Sequence, residues 1–233
     1  MTDQQKFLNE ALIWSPQQLN ERLGEDSLVV VDVRATHQVM TGIIPGAAHL
    51  DLFGIGLSHA SENLLDELVN LMRSLLGLRG VGPEKTVVFV EEDTGMRVAR
   101  GFWLLEYMGH KDVHVLDGGM RAWRDAGLAI TQVMEPPKAS RFPITPQPEI
   151  YISADELGGM LGQPDLVVLD TRSQKEWSGE NKRGAARGGT IPGAVHLEWS
   201  DCLEENGQLK SPVALATIFE RLGVTRDKAI VPF

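Results

Sequence analysis

Apolar positions along the chain fall into two kinds of pattern. Continuous β-branched runs such as Val29-Val30-Val31 and Thr86 to Val90 read as strands covered on both faces, as in a parallel sheet between helix layers. Other stretches show a helical period. From Leu64 to Leu76 the apolar residues stand at 64, 65, 68, 71, 72, 75 and 76, which makes one buried stripe. Ser15 to Leu23 opens with a capping serine and a Pro at the first helical position, which predicts a short helix ending at Gly24. Ile44-Pro45-Gly46 predicts a rigid turn into a short strand over Ala48 to Leu50. Gly101 to Met108 as part of a helix ended by Gly109, a strand from Val113 to Leu116, and an Asp117-Gly118-Gly119 turn into a helix carrying Trp123 follow. Strands and helices alternate, so the expected class is α/β with a parallel sheet.

The pattern then repeats. VVVDVR at 29–34 returns as VVLDTR at 167–172, GIIPGAAHL at 42–50 as GTIPGAVHL at 189–197, and LRGVGPEKTVVFV at 78–90 as LGVTRDKAIVPF at 222–233. The first pair lies 138 residues apart and the second 147, so the later copy carries an insertion rich in Arg, Lys and Gly. A duplicated domain is the economical reading. Between the copies, Thr131 to Pro148 holds five prolines and no helical period, which predicts an extended linker. The expected divisions are a first domain over 1–133, a linker over 134–149 and a second domain over 150–233. The second copy restarts at Ser153-Ala154-Asp155-Glu156-Leu157. It continues through a strand at 166–170, the insertion, the second IPGA turn, a loop through Cys202, a helix near Val213 to Arg221 and a strand from Ala229.

Composition narrows the functional classes. With 233 residues, 42% hydrophobic and 23% charged, the chain is that of an ordinary globular protein long enough for two domains. It has no run of eighteen apolar residues, and MTDQQKFLNEALIW lacks a basic head and apolar core, so a cytoplasmic protein is expected. The single cysteine, Cys202, fits a reducing compartment. A net charge of −10 argues against nucleic acid or an anionic membrane as partner, so a small anion must be drawn by a local cluster. Lys182, Arg183 and Arg187 of the insertion supply one. No phosphate-binding loop, dinucleotide fingerprint or metal-ligand spacing is present beyond His110 and His114, which straddle a helix end and a strand. No cofactor or metal is expected.

The set VDVR, GIIPGA, VVFVEEDTGMRVARGFWLLEYMGH and VHVLDGGMRAW resembles the first half of a tandem-domain rhodanese, the thiosulfate or 3-mercaptopyruvate sulfurtransferase family. LDTRSQKEWSG with IPGAVHLEW resembles that family's second domain. The resemblance covers nearly the whole chain. It implies two rhodanese-like domains, each a parallel sheet covered by helices on both faces, the second incomplete. It also implies a small anionic sulfur donor, a thiol or cyanide acceptor, and a persulfide on a cysteine just after the fourth strand. A loop there that runs into a helix offers successive N–H groups and the positive end of the helix, so a thiol ionises easily and attacks the donor's outer sulfur. Many family members have His before the IPGA turn. Ile43 and Thr190 stand there instead and are read as variation on the turn surface.

Aligning Val87-Val88 with Ile230-Val231 puts Glu91 or Glu92 at the nucleophile's place in the first copy, where a carboxylate carries no persulfide and repels an anionic donor. In the second copy that place follows Phe233, so the 233-residue chain is expected to be inactive and to belong to a longer protein. A UGA codon read as stop, which would encode selenocysteine, stands as an explanation beside a cloning boundary, proteolysis or a nonsense mutation. The stretch Glu91 to Ile130 has no counterpart in the second copy. Uncovering about 1,000 Å² of apolar surface forgoes about 25 kcal/mol of burial, against a typical stability of roughly 5–15 kcal/mol, so the second domain is not expected to fold properly by itself.

Asp170 and Arg172 lie, by resemblance, near the cleft of the second domain, and a functional role stands beside the plainer one of fixing the turn. For Asp32 and Arg34 the turn-fixing role is preferred. Arg183 and Arg187 are the better candidates for a donor anion, since arginine presents a planar fork to a sulfonate or carboxylate. A solvated basic loop is the plainer alternative, preferred for Arg183 and not for Arg187. Cys202, beside Asp201, Glu204 and Glu205, is expected to be a passive thiol with a raised pKa. Trp177 and Trp199 are read as packing residues. The rival functions are a catalytically inactive rhodanese-like binding module and a phosphatase of the cell-cycle dual-specificity type. The loop beyond Phe233 largely sets the choice of donor.

Overall fold

The computed structural model describes residues 12–53, 55 and 62–233. The N-terminal stretch up to Ala11, part of the segment read above as no signal peptide, lies outside them. Among the described residues no helix is long and apolar enough to cross a membrane. The chain divides into two compact units, one comprising 12–151 with 205–209, the other 152–204 with 210–233.

In the first unit the elements run β1 (Ile13–Trp14), α1 (Pro16–Arg22), β2 (Leu28–Asp32), α2 (Thr36–Val39), β3 (Ala48–His49), α3 (Glu62–Gly77), β4 (Thr86–Val90), α4 (Met96–Tyr107), β5 (Val113–Leu116) and α5 (Gly119–Asp125). The strands form one parallel sheet in the order β1-β5-β4-β2-β3. Successive strand residues point to opposite faces, and the core divides accordingly. Val31, Val87, Phe89, Val113 and Val115 pack under α3 and α4 with Leu65, Val69, Met72, Leu104 and Leu105. Val30, Val88, Val90 and Leu116 pack on the other face with Leu19, Val39, Met120 and Trp123. This two-sided cover is why β2 and β4 read as unbroken apolar runs rather than as alternating ones.

The sequence pattern missed β1, whose two residues pair with Val115 and Leu116 and are too few to show a period. The helix expected to hold Gly101 to Met108 is α4. The helix begins at Met96, behind an extended Gly95, and Gly101 lies inside it. A glycine in a helix interior usually marks a boundary. Here it admits a ring, since a Cβ at Gly101 would lie 2.7 Å from Cε1 of Phe89.

The stretch expected as a linker is extended but strapped along the first unit. Ser140 N–H donates to the Gly77 carbonyl, Thr145 N–H to Met108 and Gln147 N–H to Tyr107, and Phe142 is buried in the core.

The second unit holds α6 (Ala154–Met160), β6 (Leu166–Asp170), α7 (Gln174–Trp177), β7 (Val195–His196), α8 (Pro212–Arg221) and β8 (Ala229–Pro232). Its parallel sheet has three strands, ordered β7-β6-β8. Leu157, Val167, Val168, Leu169 and Leu197 are its buried apolar residues, and α8 has none that is fully buried. Among the described residues β8 lies at one end of this order.

Replacing Gly101 by Ala normally helps a helix by about 1 kcal/mol. Here the clash with Phe89 reverses the sign, and Gly101→Ala is expected to destabilise by about 1–3 kcal/mol, read as a lower urea midpoint for the first unit.

Candidate functional site

Each unit builds the same brace at the end of its central strand. In the first, Arg34 lays its guanidinium on Asp32, with Nε 3.0 Å from Oδ1 and Nη2 2.7 Å from Oδ2, while Nη2 also donates to the Gly42 carbonyl at 2.7 Å. In the second, Arg172 meets Asp170 at 2.9 and 2.5 Å and donates to the Gly189 carbonyl at 2.9 Å. The histidines that follow also correspond. His49 Nε2 lies 2.9 Å from the Arg34 carbonyl and His196 Nε2 2.8 Å from that of Arg172. Between them runs the Ile-Pro-Gly-Ala turn, closed by Ala47 N–H to the Ile44 carbonyl and by Ala194 N–H to that of Ile191, both at 3.0 Å. Gly46 and Gly193 sit at φ +80° and +81°, the backbone that a type II turn needs at its third position.

Asp170 is fully buried and accepts from Arg172 and from the Thr190 hydroxyl, 2.7 Å away. Burial pushes its carboxyl up, but these bonds outweigh it and hold the pKa below the usual range. Thr190 stays on the surface of its turn, with its hydroxyl turned to Asp170. Ile43 is not surface variation, since it is buried and exchanges both backbone hydrogen bonds with Thr131. The first turn packs inward through Ile43 and Ile44, whereas the second is exposed at Thr190, Pro192 and Gly193.

The two braces differ in exposure. Arg34 is wholly buried, and its Nη1 reaches Glu92 at 3.3 Å. The Arg172 side chain is one-third exposed, with its guanidinium 5.1 Å over the Phe233 ring.

Strand register aligns the copies. Val29 pairs with Val87 as Val167 pairs with Ile230. Val33 N–H donates to the Val90 carbonyl at 2.8 Å as Thr171 N–H does to Phe233 at 2.9 Å. Phe233 therefore corresponds to Val90, and the next position to Glu91.

What occupies that place in the first unit is a set of paired acids. Glu91 Oε2 accepts from the N–H groups of Arg97 and Val98 in the first turn of α4, at 2.9 and 3.4 Å. Glu92 pairs with Arg34 and Arg124, and Asp93 with Arg121 at 3.0 Å. The chain's own carboxylate thus sits where helix amides would receive an anion. Burial raises the pKa of Glu91, partly opposed by those two amide bonds.

In the second unit the insertion folds back on α7. Asn181 N–H donates to the Lys175 carbonyl, and Gly188 closes on Gly179. Arg183, held at φ +44°, lies 3.7 Å from Glu176 and is mostly exposed. Arg187 is exposed on the same loop. Sequence reasoning passed over Glu176, although two carboxylates, Glu176 and Glu180, stand among four cations within thirteen residues. Trp177 stacks on His196 with ring centroids 4.9 Å apart, and Trp199 N–H donates to the Thr171 carbonyl. Cys202 is half-buried, and burial rather than its acidic neighbours is the main cause of its raised pKa. Asp201 adds to the rise, Lys210 opposes it, and Glu204 and Glu205 do not contribute.

A carboxylate whose pKa is higher folded than unfolded stabilises less as pH rises, from the unfolded value near 4.5 through the folded one. Glu91→Gln keeps an acceptor for the helix amides without the charge. Its stability relative to the parent is expected to grow across that window, as read by urea unfolding at pH 4 and pH 7.

Comparison with known proteins follows the same division. The rhodanese-like domain model matches residues 15–126 and 153–231. A thiosulfate sulfurtransferase of Azotobacter vinelandii is 33% identical over 97% of this chain and 83% of its own length. A probable 3-mercaptopyruvate sulfurtransferase of Pseudomonas aeruginosa is 31% identical over 92% and 80%. Among solved structures, SseA of Escherichia coli, a 3-mercaptopyruvate sulfotransferase, superposes with a TM-score of 0.78 at 21% identity over 94% of this chain and 86% of that one. An anaerobic ergothioneine biosynthesis enzyme of Chlorobium limicola gives 0.83 at 20% identity, and this chain, matched over 98%, spans 61% of its length. With the braced turns, the parallel sheets and both family matches in agreement, the chain belongs to the rhodanese-like family, with two such domains in tandem.

Proposed function

We propose that this protein is a sulfurtransferase that moves a sulfane sulfur from thiosulfate or 3-mercaptopyruvate to a thiol or cyanide. The donors are those named for its relatives of 33% and 31% identity. The observation that carries the mechanism is the strand register, in which the Phe233 carbonyl takes the Thr171 N–H as Val90 takes that of Val33. The position after Phe233 then corresponds to Glu91, which lies against amides of the first turn of α4. A thiol or selenol in that place would be ionised by equivalent amides of its own domain. The anion attacks the donor's outer sulfur, sulfite or pyruvate leaves, and the enzyme persulfide or selenosulfide passes its sulfur to the acceptor.

Around that position, Arg183 and Arg187 receive the charged end of the donor with planar N–H forks. Arg172 stands nearer the strand end, over Phe233, with Asp170 holding its plane. Asp170 itself is buried behind that guanidinium, so its part is to orient rather than to touch the donor. The first domain does not turn over, because its paired acids fill the equivalent loop. The setting is the cytoplasm, in keeping with the single thiol and the absence of any expected disulfide.

A second reading, a catalytically inactive binding module, draws support from Glu91 and from the raised pKa of Cys202, the one thiol in the 233 residues.

A cyanide-dependent thiocyanate assay separates the two. The 233-residue chain is expected to be inactive. A form extended through the next open stretch with Cys at the position after Phe233 is expected to turn over and to show persulfide by mass spectrometry. Activity of the short form, or a persulfide on Cys202, overturns the assignment.

A further inference from the structure

The duplication offers an internal comparison for Glu176. Both α2 and α7 open the same way, with Gln38 N–H donating to the Ala35 carbonyl and Glu176 N–H to that of Ser173, each at 2.9 Å. The side chains do the same local work. Gln38 Oε1 accepts from the Ala35 N–H at 3.3 Å, and Glu176 Oε2 accepts from the Ser173 hydroxyl at 2.7 Å. A neutral amide therefore serves this turn in the first unit. The second unit has a carboxylate there, and that is also the unit with the basic insertion.

Glu176 is 8% exposed. Its hydrogen bond to Ser173 and the nearby Arg183 and Arg172 hold its carboxyl below the usual range, so it is an anion throughout the working pH. Its pairing with Arg183 is loose, 3.7 Å to an arginine side chain 56% exposed, and an exposed pair of that kind adds little stability. Neither the helix start nor the ion pair explains why a fixed negative charge is kept behind a cationic loop.

We propose that Glu176 tunes donor preference alongside the loop after Phe233, its charge beside Arg183 penalising a doubly charged donor more than a singly charged one. This rests on the reading of Arg183 and Arg187 as the donor-binding arginines. Thiosulfate is a dianion, while 3-mercaptopyruvate with its thiol protonated carries one charge. A negative charge several ångströms away in a largely solvated loop repels each unit of donor charge by about threefold in affinity. The dianion meets that factor twice, the monoanion once.

The test is direct binding of both donors to the full 233-residue chain and to Glu176→Gln, by calorimetry or by Trp177 fluorescence. Glu176→Gln is expected to fold, since glutamine already occupies the matching place in the first unit, and Glu176→Met serves if it does not. Thiosulfate is expected to bind roughly tenfold tighter and 3-mercaptopyruvate about threefold tighter, so their ratio moves about threefold toward thiosulfate. Glu176→Asp is expected to keep the parent ratio. A ratio that stays put or moves the other way, while Arg183→Gln or Arg187→Gln weakens binding, overturns the role of Glu176 and leaves the donor site standing. If the parent binds neither donor, or if neither arginine substitution weakens binding, the donor site falls and this inference with it.

Discussion

The Asp-Arg fork at the end of each central strand is the interaction on which both domains depend. It joins three things at once: the last residue of the strand, the backbone two residues on, and the carbonyl before the Ile-Pro-Gly-Ala turn. Without it the chain leaving β2 or β6 has no fixed route to β3 or β7. In the first domain the pair is wholly buried, and losing one partner there would strand a charge at a cost of about 3–5 kcal/mol. In the second, the arginine is partly open to solvent and faces an aromatic ring. One device thus serves as pure scaffold in one copy and borders the candidate site in the other.

The copies have diverged in charge more than in backbone. The loop after β4 carries three consecutive acids, each met by an arginine or by helix amides. The second copy instead carries cations, placed in an insertion that returns to its own helix. On the proposed function, the self-satisfied acidic loop of the first copy leaves the second as the one site open to an anionic donor.

Much of this was legible in the sequence. β4 and β5 were read to the residue, because a strand buried on both faces announces itself by composition alone. The equivalence of Val87 with Ile230 followed from the repeat and is matched by the hydrogen-bond register. What was hidden depended on contacts distant along the chain. Gly101 is legible as part of a helix, but the reason for a glycine there, the Phe89 ring, lies on another element. The strap from Thr131 to Pro148 showed no period, since its anchors are backbone carbonyls of Gly77, Tyr107 and Met108. Thr190 lies on the turn surface as expected, but Ile43 is buried, because its backbone pairs with Thr131, distant along the chain. Arg187, Arg183 and Glu176 are all visible as charges, but the burial of Glu176 beside Ser173 is not.

The strap along the first unit has a consequence for cutting the chain. A Cβ at Gly77 would meet the Ser140 carbonyl, and Phe142 is buried in the core. A first domain ended near residue 130 would leave that ring's socket open and the carbonyls of Gly77, Tyr107 and Met108 without their donors, so the segment through Gln147 belongs with it.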